Sequence, residues 1–389
     1  MKHIIYTLAL GCALGLVSCG PRETRSFETI DYVRQIAADS TCAPYRSIRA
    51  LDPASTRGAI TVIGEPEVAV FLAERFLTSD EFNNITGRPA NDRLPDFAGE
   101  RISLIMDEVH APYGVPEDPT VFREAVVRLS VAAADTLCRL NTFNAEAVTR
   151  KDPVKVLVLS SSLYNAYGHA DVDTLFKMVG RPIPIVTPVE SMLTKAFEAP
   201  SPIFNVGVWA DEDVIASGAY KEGFARRAAS LKGSQCTLAA FCPDKEGDIG
   251  NRLLDWLDRY LHGGTSFPLS VLLLDDYGVD VALLEAQLDE IRRMEQPEMV
   301  EYNKLLAPDF HFIDATSCVT SDVYRILRTG NLFTHDIAYP RLDVFQSMPV
   351  PDGFVVIHSG EKNVLPATLA FIRENTLVVD QYYAVQTQH

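Results

Sequence analysis

The sequence is defined first by what it lacks. It has no stripe of lysine and arginine, no internal repeat and no low-complexity segment, and beyond its N-terminus no apolar run is long enough to span a bilayer. Its 35 basic residues are outnumbered by 52 acidic ones, a formal charge of −17 over 389 residues. Such a balance lacks the electrostatic footprint of a phosphate-backbone binder and argues against nucleic acid as a partner. Cysteine is scarce, at seven residues. What is present, 47% hydrophobic residues over this length, fits one large or two medium α/β domains with ample chain to bury a core.

Met1-Lys2-His3 precede an apolar run over residues 4–17, which closes on Leu16-Val17-Ser18-Cys19 and then Gly20. A positive start, a short apolar stretch and small residues at a cleavage point mark export rather than a span. The tetrapeptide resembles a bacterial lipobox. The resemblance implies that residues 1–18 are a signal peptide and that Cys19 bears lipid. It further implies residence on the periplasmic or outer-surface side, with membrane contact through the anchor. Cys12 then leaves with the signal, and Cys42, Cys138, Cys236, Cys242 and Cys318 remain, an odd number. Cys236 and Cys242 are close enough in sequence to form a pair, but spacing alone does not establish bond geometry, and free buried thiols are the equal alternative.

Residues 19–56 are polar and weakly periodic and read as a tether with one short helix over 31–38. A rhythm follows. Short apolar runs at 59–63, 102–106, 154–159, 183–186, 205–208, 237–241, 271–274 and 310–313 suit strands buried on both faces. Between them lie helical patterns: over 119–137 Phe122, Val126, Leu129 and Ala133 recur at three- and four-residue steps behind Pro119, and 283–294 behaves likewise. Alternation of this kind predicts an α/β fold with mainly parallel sheets, whose ligands bind outside the carboxyl ends of the strands. The polar stretch 78–100 reads as a surface insertion.

The residues after each strand carry a family pattern. Asp107-Glu108-Val109-His110-Ala111-Pro112-Tyr113-Gly114 resembles the glutamate racemase segment ending in Pro-Tyr-Gly. Val206-Gly207-Val208 leading to Ser217-Gly218-Ala219-Tyr220 is similar to that family's strand and following Ser-Gly-x-Tyr helix start, and Ile313-Asp314 with a helix over 319–327 to its late Ile-Asp segment. The matches run in order over residues 59–327. The resemblance implies the aspartate/glutamate racemase architecture, two similar α/β domains with a small-molecule cleft between them. Here that suggests 57–193 plus 305–389 as one domain and 194–304 as the other.

The chemistry departs from the pattern. Racemisation at an α-carbon needs one group to remove a proton and another, on the opposite face, to return one; the family uses two cysteines and no cofactor. Where the first belongs, after 154–159, the sequence reads Ser160-Ser161-Ser162; where the second belongs, after 271–274, it reads Asp275-Asp276-Tyr277-Gly278. The family's early Asp-Ser-Gly turn becomes Gly64-Glu65-Pro66. A serine hydroxyl has no accessible anion near neutral pH without activation, whereas a desolvated carboxylate can take an α-proton. Asp276 is therefore the candidate base, with Ser161 or Ser162 as donor. Because neighbours on a strand face opposite ways, one of Asp275 and Asp276 is expected to reach the cleft.

Gly64, Glu65, Pro112, Tyr113, Gly114, Ser160, Ser162, Asp213, Asp275 and Tyr277 are the candidate ligand-binding residues. Tyr113 and Tyr220 line the cleft or merely pack, and His110 reads as a structural neighbour of its turn. Asp211, Glu212 and Asp213 either decorate a helix start, which favours acids, or repel an anionic ligand. His169 and Asp173 would share a helical face, but the bland reading is a polar helix start, and no metal site is expected. Three roles follow: a lipid-anchored binding protein that has lost the two-thiol mechanism, taking a ligand whose charge differs from glutamate's; a cofactor-independent racemase- or isomerase-type enzyme on an acidic or amino-acid-like substrate; or a purely structural envelope protein. Oligomeric state is not specified by the sequence.

Overall fold

Uninterrupted aliphatic and β-branched runs form the centre of the molecule, because a strand covered on both faces has no solvent side to mark with polar residues. The computed structural model describes residues 28–198, 203–231, 235–263, 268–348 and 367–374. Its strands are β1 (Ala59–Gly64), β2 (Arg101–Met106), β3 (Leu137–Asn141), β4 (Asn144–Arg150), β5 (Val154–Leu159), β6 (Ile185–Val186), β7 (Ile203–Trp209), β8 (Gln235–Phe241), β9 (Leu269–Leu274), β10 (Leu306–Asp314), β11 (Arg341–Met348) and β12 (Thr368–Glu374). Every residue of β1, β5 and β9 is buried.

The strands form two sheets. The larger has the order β4-β3-β12-β11-β2-β1-β5-β6 and the smaller β10-β9-β7-β8. The smaller is parallel throughout, as is the β11-β2-β1-β5-β6 portion of the larger. Antiparallel pairings of β11 with β12 and of β3 with β4 extend the larger sheet beyond the parallel core. The fold is thus α/β in two halves, with mixed rather than wholly parallel strands. In each half the strand order reverses direction beside a central strand, β1 in one and β7 in the other, and at such switch points the loops diverge and leave a crevice.

Four expectations need correction. The proposed tether is folded from residue 30 onward: helices Asp31–Ala38 and Ala43–Arg49 bury Val33, Ile36 and Ile48 completely against the larger half. The first is the short helix expected over 31–38, with Val33 and Ile36 on one face by three-residue spacing; the second, which buries only Pro44 and Ile48, has too few apolar residues to stand out in a polar stretch. The domain limits also shift. β10 pairs with β9, so the chain returns after Asp314 rather than at 305, and Val189, Met192 and Leu193 already pack in the smaller half's core, so it leaves before 194.

The helix read over 119–137 ends at Ala134, because Asp135 closes it and Leu137 opens β3. The stretch 78–100 is a surface loop only in part. Phe97 is fully buried, and Asp96 accepts hydrogen bonds from Ser79 Oγ (2.5 Å) and the Phe82 amide (2.9 Å), pinning the loop to the body. Residues 1–18, Cys19 and most of the chain beyond 348 lie outside the described residues. Among the described residues no helix is long and apolar enough to cross a membrane.

Candidate functional site: a cleft between the two sheets

The carboxyl ends of β1, β5, β7 and β9 deliver their loops to one place, a cleft of about 350 Å³. From the larger half come Glu65, Tyr113 and Ser160, Ser161 and Ser162; from the smaller come Asp211, Asp213, Lys245, Arg252, Asp275, Asp276 and Tyr277. Glycine is required at the end of β1, because a Cβ on Gly64 would collide with Ser160 Oγ. That hydroxyl donates to Ile63 O (2.9 Å), closing β1 onto β5. Pro112 and Gly114 flank Tyr113 but do not themselves line the cleft, and a Cβ on Gly114 would stand 3.3 Å from Asp213 Oδ2, where the two halves approach each other. Tyr277 Oη donates to Ser160 O (2.8 Å), a direct bond from one half to the other.

The loop after β2 is held by a buried carboxylate. Asp107 is 1% exposed and accepts from Tyr113 Oη (2.9 Å) and Ser347 Oγ (2.8 Å), with His110 Nδ1 at 2.9 Å. Burial opposes its charge, but the hydrogen bonds from His110, Ser347 and Tyr113 outweigh it and hold the carboxyl below its ordinary range. Tyr113 also shares a hydroxyl–hydroxyl bond with Tyr164, and its amide donates to the Glu65 carboxylate. Burial nevertheless raises the Glu65 pKa, helped by acidic neighbours that include Glu67 and Asp211.

At the opposite wall the two aspartates have different surroundings. Both line the cleft, contrary to the alternation expected of a strand, because β9 ends at Leu274 and the pair sits in the following turn. Asp276, the expected base, is engaged. Its carboxylate meets Arg252 Nη2 at 2.8 Å and the Gly278 amide at 3.1 Å, and Arg252 lies 5.0 Å above the Trp209 ring. Asp275 has no such cation. Part of it reaches the cleft, while Oδ2 is wholly enclosed near the buried hydroxyls of Ser162 and Tyr220, none of the three meeting another at regular hydrogen-bond geometry. Desolvation dominates and lifts the Asp275 pKa to about 6, against the opposing pull of those hydroxyls. The carboxyl with a raised pKa at this wall is therefore Asp275, half-buried with one oxygen enclosed.

Ser161 caps the helix Ser162–Ala166, its hydroxyl accepting from the Leu163 amide at 3.3 Å. Among the described residues no cysteine lines the cleft. Cys242 sits in a small adjoining recess with Arg252 and Asp276, where burial raises its pKa and disfavours the thiolate. Cys42, Cys138, Cys236, Cys242 and Cys318 are all free thiols, so the Cys236–Cys242 pair is not formed. Asp173 bonds Lys177 (2.6 Å), and among the described residues no group of three or more potential ligands could hold a metal ion. The charged cleft residues that sequence reasoning missed are Lys245 and Arg252. Arg252 lies 24 positions before Asp276 on the helix Ile249–His262, with no local motif to mark it.

No family model and no curated protein matches the chain. Among solved structures it is similar to a glutamate racemase from Bacillus anthracis, at 17% identity and a TM-score of 0.48 over 75% of this chain and 90% of that one. It is similar also to a glutamate racemase from Francisella tularensis, at 14% and 0.45 over 79% and 94%. A third, from Thermus thermophilus, gives 12% and 0.42 over 81% and 96%.

Proposed function

We propose that the chain is an exported, lipid-anchored protein of glutamate-racemase type that has given up the two-thiol reaction and uses its cleft to bind a small amine. The observation that carries this reading is charge. Glu65, Asp211, Asp213, Asp275 and Asp276 face the cleft against Lys245 and Arg252, and both cations are already paired, Lys245 with Asp211 (2.8 Å) and Arg252 with Asp276 (2.8 Å). A dicarboxylate would meet uncompensated acids; an ammonium group would be attracted to them. Serines and aspartates where the family resemblance calls for thiols agree with lost racemisation.

Calorimetry on the full chain with ethanolamine, putrescine and D- and L-glutamate tests the reading. The amines are expected to bind, with affinity falling at least tenfold in Glu65→Gln; binding of glutamate without binding of either amine overturns it. The anchor has its own test. Labelled palmitate should enter the wild-type chain in a bacterial host and be absent from Cys19→Ser, and equal labelling of both would remove the lipid from the proposal.

Asp275 favours a second reading, a one-base enzyme. A carboxyl ionising at about 6 at the cleft floor is poised to accept a proton from a bound carbon acid, with Ser162 beside it. Exchange of the α-proton of glutamate or aspartate in heavy water, followed by NMR, should then be abolished in Asp275→Asn and retained in Asp276→Asn. No exchange with either enantiomer of either acid leaves the binding role.

A further inference from the structure

A second cavity, of about 580 Å³, shares no lining residue with the cleft. It lies at the joint where the chain passes between the halves. Phe82 comes from the loop before β2, Ser191 from helix Pro188–Ala196, Phe312 and Ile313 from β10, and Cys318 and Tyr324 from helix Ala315–Thr329. Helix Ala315–Thr329 itself spans the joint, with Cys318 in the smaller half's core and Val319, Val323 and Leu327 in the larger half's.

The character of the lining is specific. Phe82 and Tyr324 stack with centroids 4.3 Å apart and planes within 8°, a flat aromatic shelf. The charged groups at the edge are already satisfied. Arg325 pairs with Asp322 (2.7 Å), Lys195 with Glu198 (2.9 Å) and Glu81 with Arg75; Arg328 Nη2 donates to Ile85 O (2.8 Å), and Asp314 caps the Ser317 amide (2.8 Å). Each of these groups already has a protein partner, three pairs ionic and Arg328 and Asp314 held by neutral groups. Two hydroxyls are in the reverse position. Ser191 and Tyr324 are 2% and 3% exposed; neither Ser191 Oγ nor Tyr324 Oη has a hydrogen-bond partner at regular geometry, although Tyr324 Oη lies close to the Arg328 guanidinium. Both residues line the cavity, and rotation about χ1 of Ser191 would bring its hydroxyl onto a bound molecule. The volume falls in the range of small-molecule sites, which combine mostly apolar walls with a few polar groups.

We propose that this cavity is a second ligand site, for an uncharged molecule with an aromatic or aliphatic body and a single hydrogen-bonding group, and that its occupant ties the two halves together at the joint. The proposal is independent of what the cleft binds. Its test uses 1-N-phenylnaphthylamine, a neutral aromatic amine whose fluorescence rises in apolar surroundings, titrated into the full chain. Saturable one-site binding is expected, weakened at least tenfold by Ser321→Trp or Thr194→Phe, which add bulk to the lining from two different helices. Far-UV circular dichroism checks that each variant is folded. Hydrogen exchange on the unmodified chain gives a second readout that does not depend on the variants. The probe should slow exchange in 188–198 and 310–329, segments contributed by both sides of the joint. Non-saturable fluorescence, or protection confined to other segments, overturns the proposal, as does unchanged affinity in both folded variants.

Discussion

Asp275 makes the cleft sensitive to pH in a direction opposite to that of most carboxylates. Its pKa is about 6 in the folded chain and near 3.9 in an unfolded one, so between these values the folded state holds a proton that the unfolded state has released. Its contribution to stability therefore declines as pH rises from about 4 to about 6 and is constant above. Asp275→Asn removes the penalty. Relative to wild type, the variant should gain on the order of 2 kcal/mol between pH 4 and pH 8, read from urea unfolding at both values. A difference that does not change with pH would assign the shifted ionisation elsewhere. The same ionisation should strengthen amine binding as pH passes through 6. At this scale the sequence was partly legible. Aspartates, serines and Tyr277 could be placed after the right strands, but which aspartate is ion-paired depends on Arg252, and a distant helix residue choosing between adjacent carboxylates leaves no local trace.

At the scale of elements, legibility followed burial. β1, β5 and β9 are buried throughout and read directly from their apolar runs. β3 places an exposed Leu137 and Leu140 around Arg139, and no run or clean alternation survives there. Of the two N-terminal helices the second escaped for a related reason, since it buries only Pro44 and Ile48 in a core built mainly by others. Their packing is nonetheless tight, and Arg123, ion-paired with Asp171 at 2.7 Å, also donates to Glu28 O at 2.6 Å just ahead of the first helix. Ile48→Ala should then cost about 3 kcal/mol, as for a fully buried aliphatic residue. A chemical-denaturation midpoint indistinguishable from wild type would return this segment to the status of a tether.

For the whole molecule the telling contact is Tyr277 with Ser160 across the cleft. Tyr277→Phe removes the donor without changing the ring. We expect a loss of about 1 kcal/mol in stability, with weaker ligand binding, and small-angle scattering should show whether the halves separate on average. Unaltered binding, stability and scattering would mean that the halves are held by the joint alone. The two-sheet plan was legible from the order of motifs, whereas the crossing points were not. Helix Ala315–Thr329 carries apolar residues for both cores, and Val186 of the larger half's core stands three residues before Val189 of the smaller half's, so composition does not change where the chain changes sides.

The position of β11 also bears on how the chain is made. This strand sits between β2 and β12 in the larger sheet, yet it begins at Arg341, after the whole of the smaller sheet has been synthesised. While that later portion emerges from the ribosome, one edge of β2 has no neighbour, and an open edge is a template for pairing with other chains. The demand on a chaperone accordingly falls in the interval between the synthesis of β2 and that of β11.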